Sequence, residues 1–229
     1  MTTSDTKTNT LTPRQAYDEK YRCGSYFRYN KWLFRPFIKA LLAKARLKEA
    51  SRILDAGCGQ GFFSGLFAEL GFKPLGIDIS GEAVRTGQRE FGCKGAKFES
   101  GDVTRLPYFD TFECVFVRGC SLYNSQSFQH DRTTTDILLK YVKSGGFLVF
   151  DYYTRLDPRK KSVTWTYHSI AETRQHFSVY PDEQVYFSLR FDALLLRRLA
   201  FTRISTALNA FVSRITGIGG DLVVFVPKK

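Results

Sequence analysis

The chain has 229 residues, 43% of them hydrophobic, enough for one sizeable α/β domain with a full core. Its net charge of +12 fits a plain basic soluble surface, a nucleic-acid partner, a membrane surface or an anionic substrate. No apolar run reaches the ~18–20 residues of a membrane span, and Met1 to Thr12 is too polar for a secretory signal. The five cysteines are odd in number and lack C-x-x-C spacing. That pattern speaks against a disulfide framework and a structural zinc site, and for reduced thiols in the cytoplasm.

In chain order, residues 1–12 read as a disordered tail. Asp18 to Leu47 is helical, with Pro36 breaking or kinking it. Ser51 to Asp55 is a first strand, and Phe62 to Leu70 a helix stopped by Gly71. Lys73 to Ile79 is the second strand, and Gly81 to Phe91 a helix capped by Ser80. Strands follow at Ala96 to Ser100 and Phe112 to Arg118, and a helix at Arg132 to Val142. Gly145-Gly146 turns the chain into a fifth strand, Phe147 to Tyr153. Trp165 to Phe177 is expected to cover the site. The last third carries a strand at Gln184 to Phe191, a long amphipathic helix at Ala193 to Ile215 and a strand at Asp221 to Val226. Alternation of strand and helix at these lengths points to a doubly wound, mostly parallel sheet.

The most informative stretch is Asp55-Ala56-Gly57-Cys58-Gly59-Gln60-Gly61, between the first strand and its helix. Three glycines at alternate positions let backbone approach a ligand closely. A dinucleotide fingerprint would read G-x-G-x-x-G, but here the third glycine comes one residue early. Asp55 before the loop would repel a pyrophosphate and attract a cation. No Gly-Lys-Ser/Thr follows, which excludes a P-loop.

The form D-x-G-x-G-x-G resembles motif I of the class I, Rossmann-like methyltransferases that use S-adenosyl-L-methionine (SAM). Four further features match that family in order. They are Gly76-Ile77-Asp78-Ile79-Ser80, Gly101-Asp102-Val103, Asp110-Thr111-Phe112-Glu113-Cys114-Val115, and Leu138 to Gly146, which resembles L-x-x-x-L-K-P-G-G. Glu113 stands for the usual aspartate and Ser144 for the usual proline. The resemblance implies a seven-stranded sheet with an antiparallel strand near the C-terminus and N-terminal helices covering the cofactor. It also implies a single domain over 13–229: a helical cap (13–50), a SAM-binding core (51–153) and a sheet-closing, substrate-side segment (154–229).

By the same resemblance Asp78 binds the SAM ribose, Ile79 packs on the adenine, and Gly101, Asp102 and Val103 meet the adenine edge. Asp55, Ala56, Gly57, Cys58, Gly59 and Gly61 form the loop around the donor, with Cys58 as a small filler toward the methionine end. Tyr17-Asp18-x-x-Tyr21 and Arg22 resemble the family's leading helix, on which Tyr21 or Tyr17 contacts that end or serves only helix packing. The loop Arg118-Gly119-Cys120-Ser121-Leu122-Tyr123-Asn124 should border the acceptor. Arg118 either holds an anionic group of donor or acceptor or pairs with a local acid, and Tyr123 and Asn124 shape the pocket. Tyr123 and His130 are the candidate catalytic groups, His130 as base beside Asp131, which is more simply a helix N-cap. His168 and His176 are alternative bases, and Cys120 reads as a packed thiol.

The expected activity is SN2 transfer of the SAM methyl to an O or N of a small-molecule acceptor, such as a secondary metabolite or sugar, leaving S-adenosyl-L-homocysteine. A nucleic-acid methyltransferase is the alternative, and a non-catalytic SAM-binding protein the second. No metal is expected, and the chain should be a monomer or homodimer. The arginines along 193–215 suit an anionic membrane surface, but core packing or a dimer contact is the expected use of that helix.

Overall fold

The computed structural model describes residues 11–24, 28–125, 128–154, 166–190, 193 and 199–229, without the side chains of 129 and 130. Its helices are α1 (Pro13–Arg22), α2 (Lys31–Lys44), α3 (Phe62–Glu69), α4 (Gly81–Phe91), α5 (Arg132–Tyr141), α6 (Ile170–Phe177) and α7 (Arg203–Thr216). Its strands are β1 (Arg52–Ala56), β2 (Lys73–Asp78), β3 (Lys97–Ser100), β4 (Phe112–Arg118), β5 (Val142–Thr154), β6 (Gln184–Ser188) and β7 (Gly220–Pro227).

The seven strands form one sheet in the order β3-β2-β1-β4-β5-β7-β6. Strands β1 to β5 are parallel to one another, and β7 runs antiparallel to both β5 and β6. From β1 the chain winds one way to β2 and β3 and then returns to add β4 on the other side. That reversal opens a crevice at the carboxyl ends of β1 and β4, where ligands bind in open α/β sheets.

Alternation along the strands sorts the core into two layers. Ile53, Cys114, Phe116, Val149, Val223 and Phe225 face α2 and α3. Leu54, Val115, Val117, Leu148, Phe150 and Val224 face the layer that holds Leu138 of α5 and Phe177 of α6. No helix among the described residues is long and apolar enough to cross a membrane.

Several boundaries differ from the sequence expectation. The N-terminal helical stretch does not divide at Pro36, which lies inside α2. It divides after Arg22, because Asn30 accepts a hydrogen bond from the Trp32 N–H (2.9 Å) and starts a new helix. Pro36 removes one N–H near the start of that helix, a loss that α2 offsets by burying Phe34, Phe37, Ile38, Leu41 and Leu42. Among the described residues α1 lines the crevice, whereas α2 packs its buried face into the core. Thr12 and Gln15 form a capping box at the start of α1, with Pro13 at its first position.

The segment 166–177 does not cover the crevice. It forms α6, capped by Ser169 and Glu172, with His176 and Phe177 buried in the core. The long helix expected over 193–215 is not continuous. Residues 199–202 turn, Phe201 has φ +55°, and Thr202 caps a fresh helix at Arg203. Positions 194–198 of that expectation lie outside the described residues.

Candidate cofactor and acceptor site

A cleft of about 200 Å³, partly open to solvent, sits at the crevice between β1 and β4. Its floor is the loop after β1. The Gly57 and Cys58 N–H groups both donate to the Ile77 carbonyl, at 2.8 and 3.0 Å, which ties the loop to the end of β2. Gly59 has φ +53°, and a Cβ there would stand 2.9 Å from the Tyr21 hydroxyl. Gly61 opens α3 at φ +82°, and a Cβ would reach within 2.5 Å of the Phe98 ring. The first glycine keeps the cleft floor bare, and the second lets the helix pack on β3.

Three carboxylates project from successive strand ends. Asp78 accepts from the Gly59 N–H through Oδ2 (2.8 Å) and from the Ser80 N–H through Oδ1 (2.9 Å). A carboxylate has about four acceptor positions, so each oxygen keeps one for a ligand. Burial pushes the Asp78 carboxyl up, and the two backbone N–H groups pull it down. Asp55 is buried and accepts from the Ser64 hydroxyl at 2.6 Å. Burial pushes its carboxyl up to about 7, against that hydrogen bond, and Asp78 adds to the rise. Asp102 accepts from the Thr104 N–H (2.9 Å) and hydroxyl (2.7 Å), which folds the chain after β3 into a turn.

Ile79, Gly101 and Val103 line the cleft beside these carboxylates, as does Cys58. Ala56 and Gly61 do not line it; Ala56 is fully buried behind the wall. The lid is α1, which brings Tyr17 and Tyr21 to the cleft, and Tyr29 follows from the next segment. Asp18 pins this lid by accepting from the Ser80 hydroxyl (2.6 Å) and the Glu82 N–H (3.1 Å) at the start of α4. Those bonds hold the Asp18 carboxyl below its ordinary value. The bonds of Asp18 to α4 and the place of Tyr29 at the cleft were not expected from the sequence. They depend on α1 crossing to α4 and on Tyr29 stacking against Phe62, contacts that no local pattern encodes.

The loop after β4 borders the cleft, as expected, through Arg118, Gly119, Cys120, Ser121 and Leu122, but not through Tyr123 and Asn124. Arg118 lines the cleft but is buried and paired with Asp151 of β5 and Asp221 of β7, the latter at 3.3 Å. Its guanidinium also lies over the rings of Phe34 (5.0 Å) and Phe63 (5.2 Å). The local ion pair is therefore the arrangement observed. Tyr123 is fully buried away from the cleft, and its hydroxyl is bonded to that of Thr135 at 3.0 Å. Asn124 accepts from the Thr166 N–H at 2.7 Å and does not line the cleft.

The histidines are also in the packing. His176 is buried, 3.2 Å from the Thr135 hydroxyl, and burial depresses it to about 4. His168 stacks on Phe128 at 3.9 Å, with Nε2 at 2.9 Å from the Tyr123 carbonyl. The His130 side chain lies outside the described residues. Asp131 precedes α5, but its carboxylate accepts from Ser125 (2.8 Å) instead of capping the helix. Cys120 lines the cleft as a thiol that burial pushes up to about 12, which leaves almost no thiolate. All five cysteines are free, and no metal-binding cluster occurs among the described residues.

Residues 47–188 match a family model described as a methyltransferase domain. A protein of Geobacillus sp. (strain WCH70), named as a methyltransferase, is 28% identical over 128 residues, 55% of this chain and 51% of that protein. The tRNA (carboxymethyluridine(34)-5-O)-methyltransferase of Arabidopsis thaliana is 30% identical over 153 residues, 66% of this chain and 35% of that one. The chain thus spans about half the length, or less, of the curated relatives it matches. A solved structure of Haemonchus contortus phosphoethanolamine N-methyltransferase 2, with phosphomonomethylethanolamine and S-adenosylhomocysteine, has a TM-score of 0.66. It is 16% identical and covers 96% of this chain and 61% of that one, a likeness of fold alone.

Proposed function

The chain belongs to the methyltransferase-domain family, and from that premise we propose that it moves the SAM methyl group to an oxygen or nitrogen of a small-molecule acceptor, leaving S-adenosyl-L-homocysteine. The observation that carries this reading is the cleft wall. Asp55, Asp78 and Asp102 stand at three strand ends around a loop with bare glycines at 57 and 59. Such a wall suits a cationic ligand with a sugar, and disfavours a phosphate-rich one.

When bound, SAM supplies a methyl group already activated by the sulfonium charge. Asp78 would accept from the ribose hydroxyls with its two remaining acceptor positions, Ile79 and Val103 would flank the adenine, and Asp102 would meet its amino group. Tyr17, Tyr21, Tyr29, Phe62 and Phe63 wall the cleft against water. Alignment of two reactants in such an enclosure is worth ~7–11 kcal/mol of barrier. The Tyr21 and Tyr29 hydroxyls are pushed above their ordinary value, chiefly by burial, so they stay protonated and donate rather than act as bases. Among the described cleft residues no histidine is present. A neutral amine nitrogen, which needs no proton removed before it attacks, suits such a site.

Asp55 supplies a pH test. Its folded value, about 7, lies above the ordinary 3.8. Its contribution to stability is therefore complete below the unfolded value and is lost as the pH rises through about 7. A cationic ligand prefers the ionised form, so SAM affinity should rise several-fold between about pH 6 and about pH 8. Asp55→Asn should flatten that rise in calorimetry and raise Tm more at about pH 8 than at about pH 5. A pH profile identical in wild type and variant would remove Asp55 from the cofactor wall.

A nucleic-acid acceptor is the second reading, favoured by the net charge of +12 and by the tRNA-modifying relative. Methyl transfer to bulk tRNA and to a panel of small amines and alcohols, followed across salt, separates the two. A nucleic-acid acceptor held by several phosphates should lose roughly 10³-fold in affinity between about 50 and about 200 mM salt. A small neutral acceptor should change less than about threefold over that range.

A further inference from the structure

Helix α7 is built inside out. Its buried residues are Ser205, Thr206, Asn209 and Ser213, all polar. Its outward residues include Ile204 (74% exposed), Leu208 (52%), Phe211 (63%) and Ile215 (69%). These four recur at i, i+4, i+7 and i+11, which is one face of an α-helix. Leu199 and Ile218 extend the exposed apolar surface beyond each end.

The polar inner face has a cause in the sheet. Strand β6 is an edge, and an edge carries backbone groups without a neighbouring strand. The Phe187 N–H donates to the Thr206 hydroxyl at 3.3 Å, and Asn209 Nδ2 donates to the Phe187 carbonyl at 3.2 Å. The helix thus spends its polar side closing the edge, and its apolar side faces outward, with no partner among the described residues. An exposed apolar face of this extent, with charges at its margin, is an interaction surface.

Charge narrows the occupant. Between residues 193 and 220 the sequence holds Arg197, Arg198, Arg203 and Arg214 and no acidic residue. Pairing α7 with a second copy would bring Arg203 against Arg214 if antiparallel, or against itself if parallel, with no carboxylate on either helix to offset the repulsion. Anionic lipid headgroups complement the arginines while the acyl region takes up the apolar stripe. We propose that α7 seats the protein on an anionic membrane surface, lying in the interface with Ile204, Leu208, Phe211 and Ile215 inserted. The helix, 14 residues and about 21 Å long, is too short to span a bilayer but long enough to lie on one.

The test is cosedimentation of the full chain with vesicles of phosphatidylcholine alone or mixed with phosphatidylglycerol. Binding is expected to the mixed vesicles, weakening as salt rises. The double variant Leu208→Ser, Phe211→Ser should lower that affinity by about tenfold or more with Tm unchanged, since both side chains are exposed. Arg203→Glu with Arg214→Glu, a change that leaves the apolar stripe intact, should abolish the preference for anionic vesicles. Failure to bind the mixed vesicles overturns the proposal, as does equal binding by wild type and the serine variant. A dimer in analytical ultracentrifugation that the serine variant dissolves would assign the face to a second copy and overturn it as well.

Discussion

Arg118→Met should destabilise the protein by about 3–5 kcal/mol at neutral pH, because it leaves two buried carboxylates facing, among the described residues, one remaining arginine. Asp151 and Asp221 are both fully buried, and the other cation near them is Arg190, 3.6 Å from Asp221. Asp151 Oδ1 already lacks a hydrogen-bond partner. For a chain of this size the loss corresponds to a Tm drop on the order of 10 °C. Burial pushes the Asp151 carboxyl up even with Arg118 pulling it down. In the variant it can take a proton, so the destabilisation should be smaller at about pH 5 than at about pH 8. Adding Asp151→Asn to the variant should recover part of the loss, since one uncompensated charge is then gone. An unchanged Tm in Arg118→Met would mean that the cluster holds nothing together.

Asp78→Ala should weaken both SAM and S-adenosylhomocysteine by at least about tenfold, and up to about a hundredfold. The lower bound follows from one lost charge-assisted hydrogen bond of about 1.5–3 kcal/mol. The upper one follows because Asp78 also holds the Gly59 and Ser80 N–H groups, at 2.8 and 2.9 Å, and so fixes the cleft floor. The fall should be nearly equal for the two ligands, since the ribose is common to both. Isothermal calorimetry on folded variant checks it, and equal affinities for wild type and variant would take Asp78 out of the site. Asp78→Asn, which keeps one acceptor oxygen, should fall between.

Much of the site was legible because its signals are local. A glycine is required where φ is positive or where a Cβ would collide, and Gly59 and Gly61 meet both conditions. A carboxylate at the end of a strand is fixed in space by that strand, so Asp55, Asp78 and Asp102 meet at the cleft without any knowledge of the helices. The last third was less legible. An apolar helical stripe ordinarily packs inward, and nothing in the order Ile204, Leu208, Phe211 and Ile215 says that an open sheet edge would claim the opposite face.

The sequence by itself determined the order of the seven strands, the bare loop after β1 and the acidic strand ends, since side-chain periodicity and glycine stereochemistry act within a few residues. Tertiary structure alone decided what the remaining polar groups do. Arg118 meets Asp151 and Asp221 across separations of 33 and 103 residues, and the Tyr123 backbone meets His168 across 45. A buried polar group must find whichever partner the packing brings near, and that choice is made by the whole fold rather than by the neighbouring sequence.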